Sequence, residues 1–102
     1  MVKISIGNAE KDLGDIEESW ITQQVNRRRA DGVKVLVRVI VKEGDMNVVL
    51  TTPSGRTREG KSRPPRPREE ALFNLWNQHG LNNDEFSVVN LITFLRQLKS
   101  IV

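Results

Sequence analysis

Six cations fall within thirteen positions of one another: Arg56, Arg58, Lys61, Arg63, Arg66 and Arg68. Arginine presents a planar fork of N–H donors that meets a phosphate or a carboxylate through two parallel hydrogen bonds, so such a row suits a polyanion. The charge is segregated. Residues 51–68 carry +5, whereas residues 1–26 carry −3 and residues 69–102 carry −2, so the formal +3 of the chain hides a basic middle between acidic ends. If all six side chains met phosphates, counterion release would give a salt slope of about −5 on duplex DNA, largely independent of base sequence.

Two further basic groups accompany this row. Arg27, Arg28 and Arg29 are consecutive, although cations at the end of a helix also answer the negative end of its dipole. Lys34, Arg38 and Lys42 recur every fourth residue, which on a strand puts them on one face in a stripe about 27 Å long at ~3.4 Å per residue. Leu36 and Ile40 lie between them, so the same cations also suit a role spreading aliphatic stems over a core. The candidate anion-binding residues are therefore Arg56, Arg58, Lys61, Arg63, Arg66, Arg68, Arg27, Arg28, Arg29 and Arg38.

Other chemistry is poorly supplied. There is no cysteine and a single histidine, His79, which removes disulfides, thiol nucleophiles and His-pair metal sites. No Gly-rich phosphate loop or nucleophile elbow occurs, and Asp12, Asp15, Glu17 and Glu18 read as charges at a helix start, so no enzyme activity, cofactor or metal is expected. Residues 71–98 have the outline of a helix-turn-helix. Their second helix opens with Asp84 and Glu85, which phosphate would repel, where a reading helix needs donors. Lys61, Pro64 and Pro67 match a proline-recognition pattern that is short and common.

The elements that must hold these residues are legible in part. Val2, Ile4 and Ile6 alternate with Lys3 and Ser5 as a short strand ended by Gly7 and Asn8. Residues 15–30 read as an amphipathic helix with Asp15 as its cap, Ile16, Trp20, Ile21 and Val25 on its apolar side, and Gly32 beyond its end. Residues 33–42 are a β-branched run, and Gly44 with Asp45 turns it into residues 46–52 as a hairpin. That loop pairs Glu43 with Met46, Val41 with Val48, Val39 with Leu50 and Arg38 with Thr51.

Residues 53–67 read as a flexible basic Pro/Gly-containing loop of roughly fifteen residues, longer than usual inside a compact domain. Pro67 opens a short helix that Gly80 stops; Asn82 or Asn83 caps a last helix through Val88, Leu91, Ile92, Leu95 and Leu98. Trp20, Phe73, Trp76, Phe86 and Phe94 fall on helical apolar stripes and read as core.

The whole is expected to be a single α+β domain over residues 1–102. Its order is β-α-β-β-α-α: a small three-stranded mixed sheet, the first two strands parallel through a right-handed helical crossover, with helices packed on it and a C-terminal helical hairpin. With 37% hydrophobic and 28% charged residues, no apolar run long enough to cross a membrane and no signal-peptide pattern at the start, a cytoplasmic location is expected. The functional expectation is a non-enzymatic nucleic-acid or polyanion-binding domain using the Arg-rich loop. The alternative is a protein-interaction or homo-oligomerisation module docking through the C-terminal hairpin, with the loop gripping an acidic protein surface.

Overall fold

Alternation of Val2, Ile4 and Ile6 with Lys3 and Ser5 produces strand β1 (Val2–Ile6), its three apolar side chains buried. The structure, a computed structural model, describes residues 1–44, 46–52, 55–57 and 66–101, with residues 55–57 described by their backbone. Gly7 and Asn8 do more than end the strand. Gly7 takes φ +59° while Asn8 does not leave the negative-φ regions, the geometry of a type II′ turn with glycine first. The chain folds back into β2 (Ala9–Asp12), with Ile6 opposite Ala9 and Lys3 opposite Asp12.

This extra hairpin changes the topology. β2 returns the chain to the end of the sheet where β1 began; a 3-10 turn over Leu13–Asp15 and helix α1 (Glu18–Ala30) carry it back, so β3 (Val37–Glu43) runs antiparallel to β1, with Ile4 opposite Val39. The expected parallel pairing is therefore wrong. Among the described residues the sheet is antiparallel throughout and has five strands, not three, in the order β2-β1-β3-β4-β5. The α+β class stands.

β4 (Met46–Thr51) pairs with β3 in the register the sequence implies: Glu43 with Met46, Val41 with Val48, Val39 with Leu50, Arg38 with Thr51. β5 (Gly55–Thr57) then adds an edge strand inside the segment read as loop, with Thr57 opposite Val49 and Gly55 opposite Thr51. Three residues beginning with glycine are too short to display a period of two. β3 itself starts four residues later than the β-branched run. Val33 and Leu36 precede it and are 56% and 51% exposed, and the Leu36 carbonyl accepts the Gly7 N–H at 2.9 Å.

α1 also starts late, because Asp15 belongs to the 3-10 turn and Glu17 makes no side-chain cap. α2 (Pro67–Gln78) buries Leu72, Phe73 and Trp76. It ends at Gly80, φ +66°, beyond which the Leu81 N–H donates back to the Trp76 carbonyl at 3.2 Å and Leu81 is fully buried, a Schellman-type stop with its apolar contact. α3 (Val88–Ile101) begins after Ser87 rather than at the asparagines, and buries Leu91, Phe94, Leu95 and Leu98. It meets α2 where Trp76 and Phe94 stand edge to face, centroids 5.2 Å apart, and it is tied to α1 by Arg96 and Glu18.

One apolar cluster joins Ile4, Ile6, Val37, Val39, Val41, Val48 and Leu50 to the inner sides of all three helices. The helices thus lie on a single face of the sheet. The opposite face, with Lys3, Ser5, Arg38, Ile40, Lys42, Asn47 and Thr51, bears no helix among the described residues, although Val49 on the same face is only 5% exposed. Sharing of that face with the C-terminal helices, which the mixed pattern of residues 34–42 suggests, does not occur.

Candidate nucleic-acid interface

Strand β5 and helix α2 determine where the basic segment departs from the fold and rejoins it. Thr57 lies opposite Val49 on β4. The fully buried carboxylate of Glu69 accepts the Arg66 N–H at 2.9 Å and the Asn47 N–H of β4 at 3.0 Å. This is half of a capping box whose glutamate also staples the helix start to the sheet. Residues 57 and 66 are therefore held beside β4 at positions two residues apart, about 7 Å along the strand. Of the sequence candidates in this stretch, Arg58, Lys61 and Arg63 lie outside the described residues, and Arg56 is placed only by its register opposite Leu50.

The base of the segment adjoins the helix-free sheet face, since Asn47 is paired with Lys42 and the buried Val49 with Ile40. Arg38 stands on that face between Ser5 and Thr51, exposed and without a hydrogen bond or ion pair among the described residues. Lys42, also exposed, is four residues further along the same side of the strand. Arg66 and Arg68 are exposed at the start of α2 and, with Met46 and Pro67, line a shallow recess of about 240 Å³. Arg68 has no ion pair among the described residues.

The remaining candidates are elsewhere and differently employed. Ile6 is opposite Val37 and Gly7 is bonded to Leu36, so the end of α1 that touches Gly7 is at the opposite end of the sheet from the β3-to-β4 turn. Arg28 packs over Gly7, where a Cβ would collide with the guanidinium, and donates to the Gln24 carbonyl and side-chain oxygens at 3.2 and 2.8 Å. Arg29 donates to the Phe86 carbonyl at 2.6 Å and lies 4.8 Å from the centre of the Phe86 ring. These two are structural ties. Arg27 alone of the three is exposed without a partner among the described residues.

Lys34 leaves the proposed stripe as well, because it precedes β3 and pairs with Asp84 at 3.4 Å. Lys3, on the helix-free face, pairs across to Glu10 at 3.6 Å. That face is thus polarised: Glu10 and Asp12 stand at its β2 edge, Arg38 and Lys42 on its central strand.

A larger recess of about 560 Å³ at the end of β1, between Met1, Asp12, Leu13, Glu43 and Lys99, has mixed charge that gives no consistent ligand preference. His79 Nε2 is 2.9 Å from Gln97 Oε1 at the junction of α2 and α3. The breadth of the α3 apolar stripe is absorbed by the core. Val88 and Ile92 pack against it, leaving Val89 and Ile101 as the large exposed apolar side chains of that helix. Among the described residues no group of three or more potential metal ligands occurs, and no helix is long and apolar enough to cross a membrane.

The residue that sequence reasoning missed is Glu69 as the anchor of the loop base; Lys42 enters that reasoning only as part of a stripe with Lys34 and Arg38. A glutamate at the third position of a proline-led helix was the available signal, but its charge points equally to the helix dipole. Comparison with protein-family models, curated proteins and solved structures finds no match.

Proposed function

We propose that this protein is a non-enzymatic domain that binds nucleic acid through its phosphates, using the basic segment at residues 56–68 together with Arg38. The observation that carries the reading is the anchoring of both ends of a +5 segment beside a sheet face whose central strand presents an exposed arginine with no side-chain partner among the described residues. Loop cations that leave and re-enter beside β4 can act with Arg38 on one extended anion, whereas Arg28 and Arg29 are held by Gln24 and by Phe86. Arg28 and Arg29 are accordingly dropped from the binding set. The acidic rim at β2 orients an approaching polyanion toward β3, β4 and the start of α2.

The test is titration of labelled nucleic acid at two salt concentrations. The expected log–log salt slope is about −5 or steeper for contacts from six or more cations. Replacing Arg56, Arg58, Lys61, Arg63, Arg66 and Arg68 with Ser is expected to abolish binding at physiological salt. Binding that survives those replacements unchanged, or no binding even at low salt, refutes the assignment. Capture of an acidic protein in place of nucleic acid would move the function to the interaction class.

A further inference from the structure

No further inference is drawn: the strongest candidate, the outer edge of strand β2 where Glu10, Lys11 and Asp12 are exposed beside Trp20, is a short charged edge of the kind that resists strand pairing, and nothing in the structure shows what covers it.

Discussion

Arg27, Arg28 and Arg29 carry one charge into three environments, and their surroundings separate binding from stability. Arg29 links the end of α1 to the segment before α3 through the Phe86 carbonyl and ring. Because Arg29 is largely exposed, Arg29→Ala is expected to cost only about 1.5 kcal/mol, the low end for a charge-assisted bond, and to leave nucleic-acid affinity untouched. Urea unfolding and anisotropy on the same variant check both halves. Glu69 is the contrasting residue. It is fully buried and accepts two backbone N–H groups, so Glu69→Ala leaves donors unsatisfied and is expected to lower stability by about 2–3 kcal/mol. Glu69→Gln retains an amide oxygen and should lose about 1 kcal/mol. Neither role was legible from residue type, because a side chain's partners come from segments distant in the chain: Arg29 and Phe86 are 57 residues apart.

At the level of elements, the two-residue turn at Gly7 and Asn8 sets the strand order. Gly7 has φ +59° and lies against Arg28. Gly7→Ala is expected to destabilise the domain by about 1–2 kcal/mol, the cost of a left-handed L-residue, read as a lower urea midpoint without change in slope. α1 and α3 are joined by the paired bonds of Arg96 to Glu18, 2.5 and 2.6 Å long. The Arg96 hydrogen bond is the main reason the Glu18 carboxyl ionises below its ordinary 4.5, and the same bond raises Arg96. A carboxyl whose pKa falls on folding stabilises the fold above its unfolded value and loses that contribution as pH falls through the folded one. The stability difference between the protein and Glu18→Gln should therefore be present at neutral pH and vanish below that range. It should be small, since both side chains are exposed, and a pH series of thermal melts measures it. The register of β3 with β4 was legible, though not where β3 starts, because Gly44 and Asp45 fix the loop length and loop length fixes the register. The shorter strands β2 and β5 were not, because four residues and three residues show too little alternation to stand out from loop.

For the molecule as a whole, β3 occupies the centre of the sheet and β2 an edge. Amides of Val37–Glu43 are expected to exchange most slowly with solvent and those of Ala9–Asp12 fastest, as the strand flanked on both sides opens only on global unfolding. Hydrogen exchange followed by mass spectrometry tests this ordering. The α+β class, the apolar stripes of the helices, the core assignment of the aromatic residues and the segregation of charge could all be written down from the order of residues, since each depends on a local period or on composition. Antiparallel pairing of β1 with β3, the gathering of three helices on one sheet face, the separation of Arg27, Arg28 and Arg29 from Arg38, and the anchoring of the basic segment beside β4 could not. Those depend on which distant segments exclude water from one another, and many chain paths satisfy the same local periods while only a packed core and its buried hydrogen bonds select among them.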